Sequence, residues 1–205
     1  MSEMTERELF RVRLRFFDLL KSFFVQEPDA EKMGRWRGTF TALAREQISP
    51  SIDSSVKKCN VLLNSKRLQN LQDEYYRLFV DPFGADKVNL TASYYLDGHN
   101  FGRTLVSLRS FLDEARLVKI AGVKESEDAL VVMLDTLVSL VEQEKETGSP
   151  EARAFQARLL DEYLIPFVQK FRIALEANEN ADFYYACCQF LSGYLDLEKG
   201  LSNEY

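Results

Sequence analysis

The sequence predicts an all-α fold of about eight helices, and three observations carry that expectation. Apolar residues recur at intervals of three and four along most of the chain. No segment alternates polar and apolar residues with the period of two that a half-buried strand requires. Stop and start signals for helices, including Asp, Ser, Gly and Pro at segment ends, punctuate the periodic runs.

Thr5 and Glu8 have capping-box spacing, which starts the first helix near Glu6. Leu9, Val12, Phe16, Leu19, Leu20 and Phe23 draw one apolar stripe along it. Pro28 ends this helix by biasing Glu27 out of the α region, and Asp29 caps the next, which carries Met33, Trp36, Phe40 and Leu43. "SPS" at Ser49 to Ser51 is expected to close that helix. Val56–Leu63 reads as a short helix and Leu68–Val80 as another.

Asp81 to Ser93, "DPFGADKVNLTAS", is the longest aperiodic stretch, a loop of a length that often has a function. "SYYLDGHNFG" after it reads as a turn leading into a helix whose face is Phe101, Leu105, Leu108, Leu112 and Ala115. Residues 118–126 form a second connector, expected to act as a hinge between an N-terminal half, 1–117, and a C-terminal half, 127–205. Ser126 then caps a helix with Glu127 and Asp128 in its first turn, and Leu130, Leu134, Leu137 and Val141 inside. Ser149 caps the next, with Pro150 at the first position, where its missing N–H is harmless. Phe155, Leu159, Tyr163, Phe167 and Phe171 follow, with a kink or restart at Pro166. The last helix uses Phe183, Cys187, Phe190, Tyr194 and Leu197, with Gly200 expected just past its end.

With 205 residues the chain suits one domain or two closely joined halves. The net charge of −6 disfavours nucleic acid, whose phosphates need clustered Lys and Arg, and favours a basic partner. No apolar run approaches the ~20 residues that span a bilayer, and the charged N-terminal stretch does not read as a secretory signal. Cys59, Cys187 and Cys188 do not make a disulfide framework, and they read as buried reduced thiols of a cytoplasmic protein.

His99 is the one histidine and the obvious catalytic candidate. It stands without a nucleophile elbow, a phosphate-binding glycine loop or a convergent set of metal ligands. A solitary histidine at a helix start reads as a surface or capping residue, so no catalytic residue, metal or other cofactor is expected. A haem-type cofactor held by His99, or a helical regulatory adapter, stands as the alternative.

Three ordered motifs carry a family resemblance: "YYRLFVDPFG" (Tyr75 to Gly84), "ASYYLDG" (Ala92 to Gly98) and "TLVSLRSFLDEARL" (Thr104 to Leu117). With "RVRLRFFDLLKSFFVQEPDAE" near the start and "YLIPFVQKFRIAL" and "ADFYYACCQFLSGYL" near the end, the chain resembles the TorD/DmsD/NarJ-type family of cytoplasmic molybdoenzyme chaperones. The family's hinge commonly reads E-P-x-D-H. Here Glu125 and Asp128 match, while Ser126 and Ala129 replace the proline and the histidine. The resemblance implies a protein that is not an enzyme but binds the apo form of a molybdenum-cofactor oxidoreductase and its twin-arginine signal peptide. It implies a peptide site drawn from Tyr75, Leu78, Phe79, Pro82, Ser93 and Tyr95, with the hinge carboxylates Glu125, Glu127 and Asp128 meeting arginines. No stable membrane insertion is expected. Both a monomer and a domain-swapped dimer suit two helical halves joined by a connector.

Overall fold

In the computed structural model, which describes residues 5–85 and 87–203, the protein is all-helical, the described residues forming ten α-helices and two π turns. One isolated bridge, between Thr91 and Ala129, is antiparallel. The aperiodic stretch predicted at Asp81 to Ser93 is described except at Asp86, which lies outside these residues.

The chain forms two compact units, and neither follows chain order. The first comprises Met1–Lys21, Thr91–Phe167 and Glu198–Tyr205; the second comprises Ser22–Leu90 and Val168–Leu197. The connector at 118–126, expected to divide two sequential halves, therefore lies inside the first unit.

Helix α1, Glu6–Phe24, begins at the predicted capping box. The Thr5 N–H donates to Glu8 Oε2 at 2.9 Å, and the Glu8 N–H returns a bond to Thr5 Oγ1 at 3.3 Å. Its stripe is rotated from the expected one. Phe10, Arg13, Phe17 and Leu20 are buried, while Val12 is exposed.

In the first unit α6, Arg103–Glu114, packs Phe111 edge-on against Phe155 and against Tyr163 at 5.8 Å. Helices α7, Leu130–Thr147, and α8, Pro150–Leu159, are joined through Gly148, whose φ of 62° ends α7 in the left-handed region that glycine adopts freely. Ser149 Oγ caps α8 through the Ala152 N–H, as its sequence predicts. A π turn, Leu160–Leu164, then precedes α9, Ile165–Glu176. Pro166 lacks an N–H and would crowd the carbonyl four residues back, and the extra residue of the π turn absorbs that conflict.

In the second unit Asp29 caps α2, Ala30–Leu43, by accepting the Lys32 N–H at 2.8 Å. Ser49 and Pro50 do not close α2. They open α3, Pro50–Ser65, with Ser49 at the cap and Pro50 at the first position, so the helix is longer than the Val56–Leu63 run suggested. Helix α4, Leu68–Tyr75, passes into a π turn at Tyr76–Val80. Helix α10 spans Phe183–Asn203, and Gly200 lies within it, not beyond its end. The aromatic core joins Phe23 to Trp36 at 5.1 Å and Phe40 to Phe190 at 5.4 Å. Cys59, Cys187 and Cys188 are free thiols buried in this unit, and burial pushes the Cys187 and Cys188 thiols well up.

Candidate functional site: an apolar cleft with an acidic edge

The stretch around Ser93 and His99 is a junction between two helices. Helix α5, Ala92–Asp97, occupies residues that the sequence suggested were a turn. Its first N–H groups are satisfied from 35 residues downstream. Asp128 Oδ2 accepts the Ser93 N–H at 2.9 Å, and the Asp128 carbonyl accepts the Ala92 N–H at 2.9 Å. The other carboxylate oxygen of Asp128 accepts Ser126 Oγ at 2.6 Å.

Gly98, at φ 84°, ends α5, and the Asp97 carboxylate then reaches forward to the Thr104 N–H of α6 at 2.8 Å. Gly102 carries no Cβ, which leaves that carboxylate its space. Ser93 Oγ accepts the Phe101 N–H at 3.2 Å. Phe101 itself has a φ of 61° and is largely exposed, so it is not on the α6 face predicted for it. His99 is exposed, its Nδ1 lying 3.1 Å from the Asn100 carbonyl. An axial ligand needs an enclosed face, and this histidine has an open one.

The hinge acids therefore have different situations. Ser126 does not cap α7: the cap position is Ala129, and Glu127 and Asp128 precede the helix instead of sitting in its first turn. Ala129, where the resembled family commonly has histidine, is buried beside Thr91. Asp128 is 1% exposed and committed to its three hydrogen bonds. Glu127 is half-buried and meets Arg109 at 2.9 Å and Lys119 Nζ at 3.9 Å. Burial works to raise its pKa, but its own backbone N–H, Arg109 and Lys119 together hold the carboxyl below its ordinary 4.5. Glu125 is exposed, and its carbonyl accepts Lys119 Nζ at 2.7 Å.

Lys119 ties these acids to a feature the sequence did not announce. Leu112, Leu117, Val118, Lys119, Ile120, Val123 and Val132 line a mainly apolar cleft, with Asp135, Thr136 and Ser139 on its polar side. Its enclosed space is ≈ 70 Å³, about twice the volume one water takes in the liquid, which suits one aliphatic side chain. Val118 is 91% and Ile120 73% exposed at this cleft. Two β-branched residues, Val118 and Ile120, on either side of a lysine in a connector that ends in acids were the available sequence signal.

Of the other predicted site residues, Ser93 is fully buried, and Tyr95 is half-buried against Phe167 at 5.6 Å. Tyr75, Leu78, Phe79 and Pro82 belong to the second unit. There Tyr75 Oη donates to the Phe24 carbonyl at 3.3 Å, and its ring meets Phe79 at 5.2 Å and Tyr184 at 5.6 Å. Leu78 is fully buried, and its carbonyl accepts the Val88 N–H at 2.7 Å. Phe79 is half-buried, Pro82 is exposed, and Phe83 after it is 96% exposed. Tyr75 and Leu78 are thus packed within the second unit, Ser93 and Asp128 within the first, and accessible surface remains at Phe79, Pro82, Tyr95, Glu125 and Glu127.

Residues 45–173 match the family profile described as nitrate reductase delta subunit. The chain belongs to that family. Its match is the TorD/NarJ-type chaperone family that the middle-region motifs resemble. A chaperone protein TorD from Aliivibrio salmonicida (strain LFI1238) is 26% identical over 194 residues, covering 87% of this chain and 89% of the relative. Among the described residues of this family member, no helix is long and apolar enough to cross a membrane. Nor do three or more His, Cys, Asp or Glu residues among them group as metal ligands.

Proposed function

We propose that the chain is a cytoplasmic chaperone for a molybdenum-cofactor oxidoreductase, and that it acts by binding. The clients are the apo-enzyme and its twin-arginine signal peptide, held until the cofactor is in place. The single observation that favours this reading is the apolar cleft at Leu117–Val123, whose lining residue Lys119 meets the Glu127 carboxylate and the Glu125 carbonyl. A signal peptide presents basic residues followed by an apolar run of about 7–15 residues. The cleft accepts one apolar side chain as an anchor, and Val118 and Ile120 extend the contact.

Glu125 is the first carboxylate available to a peptide guanidinium, because no ion pair occupies it among the described residues. Glu127 already holds Arg109 and Lys119, so an incoming arginine exchanges with Arg109, whose side chain is 56% exposed. Such a surface pair is worth about 0–1 kcal/mol, so the exchange costs little. Within the first unit Tyr95 is a further proposed peptide contact, supported by the buried Ser93 and Asp128; within the second, Phe79 and Pro82 are proposed contacts in their own right, supported by the buried Tyr75 and Leu78. A maturation assay tests the role: molybdenum incorporated into an apo-oxidoreductase from the same organism, with and without the chain. More metal per enzyme in its presence supports the chaperone reading, and equal loading contradicts it.

A further inference from the structure

The first unit also carries a groove of opposite sign. Arg7, Arg11 and Arg15 stand four residues apart on α1, and with Leu14, Asp18 and Lys145 of α7 they line an open groove of ≈ 380 Å³. All four cationic residues are exposed, and none forms an ion pair within 4 Å among the described residues. A helix rises about 1.5 Å per residue, so the three arginines are rooted about 6 Å apart along about 12 Å of one face. On a chain with net charge −6, such a concentration of unpaired cations is not an average of the surface.

We propose that this groove docks an acidic polypeptide segment of a protein partner, with carboxylates spaced to meet the arginine row. Separated guanidinium forks suit a series of carboxylates, each able to take a two-pronged hydrogen bond. Arginine forks take phosphate too, but one compact phosphate engages only part of a row about 12 Å long. The arginine row runs along the helix shaft from its first turn, with no glycine loop in the groove. Leu14 supplies an apolar floor, and Asp18 beyond Arg15 limits where a carboxylate can sit, which sets register. A basic signal peptide is repelled here. The groove therefore addresses a different segment from the one proposed for the cleft, and the two readings stand or fall separately.

The test uses the full chain and a fluorescent, alanine-based helical peptide with Glu at four-residue spacing, followed by anisotropy at low and moderate salt. Binding is expected to weaken as salt screens the exposed charges. Arg11→Gln with Arg15→Gln is expected to weaken it at least tenfold, and Arg35→Gln with Arg45→Gln, the same loss of charge on other exposed arginines, by less than twofold. An isomeric peptide with its Glu residues clustered at one end is expected to bind more weakly. Equal losses in both double variants would reduce the effect to net charge and overturn the proposal. So would arginine-dependent binding of pyrophosphate or of anionic phosphatidylglycerol vesicles without binding of the peptide. Circular dichroism melts confirm that the variants fold, and the Lys145→Gln variant gives an independent arm with an expected smaller loss.

Discussion

Asp128 and Ser93, 35 residues apart, are joined by a 2.9 Å hydrogen bond in which a buried carboxylate stands in for the missing N-cap of α5. Thr91 occupies the cap position and makes no side-chain cap bond. The motif residues Ser93 and Asp128 thus secure the connector to the helix before the Asp-Gly turn. Asp128→Ala is expected to lose about 2–3 kcal/mol, combining a lost cap with an unsatisfied buried N–H. Urea unfolding measures it. A loss below about 0.5 kcal/mol would mean that the bond does not hold the junction.

Arg13 sets a second expectation. Its buried guanidinium meets Glu198 at 2.8 Å, Glu144 at 3.3 Å and Gln156 Oε1 at 2.6 Å, and Arg153 meets Glu144 from the other side. Arg13→Met removes the guanidinium that bonds the fully buried Glu198 and is expected to cost about 3–5 kcal/mol. Adding Glu198→Met to it is expected to recover part of that loss, since both buried charges are then gone. Denaturant midpoints of the two single variants and the double variant check the coupling, and simple additivity would contradict it.

Acid behaviour follows from the carboxylates. Burial works to raise Glu144, but the Gln156 and Arg153 hydrogen bonds, with the charges of Arg13 and Arg153, hold it below the ordinary 4.5. A depressed folded-state pKa contributes stability above the unfolded value, which is lost as pH falls through the folded one. Glu127 has the same sign. Glu74 is opposite: burial raises it despite its bond to the Tyr184 N–H and its contact with Lys66 at 3.2 Å. Lys66, though disfavoured by burial, is itself held up by Asp182 and Glu74. Glu74 therefore contributes less stability as pH rises from 4.5 through its raised pKa. Glu144→Gln is expected to lose less stability than the parent between about pH 5 and 3, and Glu74→Gln to flatten any decline just above 4.5. Urea melts across pH test both signs, and a steeper acid loss in Glu144→Gln would reverse the first.

What the sequence conveyed was mostly local. The caps at Thr5, Asp29 and Ser149 and the disruption at Pro166 depend on neighbours within a few residues, and they occur where those residues place them. The face of α1 was displaced by one residue because Arg13 interrupts the buried series Phe10, Phe17, Leu20, and a lone arginine reads as a solvated position. Its burial is compensated by Glu144, Gln156 and Glu198, more than a hundred residues away, which no periodicity reveals. The same holds for Asp128 on α5 and Glu74 on α10, caps supplied across 35 and 110 residues. Of the candidate site, the carboxylates were visible as a charged hinge. The apolar cleft was not, because Leu112 and Val132 come from two helices and Val118 and Ile120 from the connector between them.

The central claim is tested most directly by calorimetric titration with twin-arginine signal peptides of the host's molybdoenzymes. The account predicts binding of at least one peptide tighter than about 100 µM, about −5.5 kcal/mol. It further predicts that Ile120→Asp weakens that binding at least tenfold, and that Glu125→Gln with Glu127→Gln weakens it and flattens its salt dependence. Tight binding that is indifferent to all three substitutions would contradict the cleft as the receptor, and no binding by any of the peptides would contradict the receptor itself.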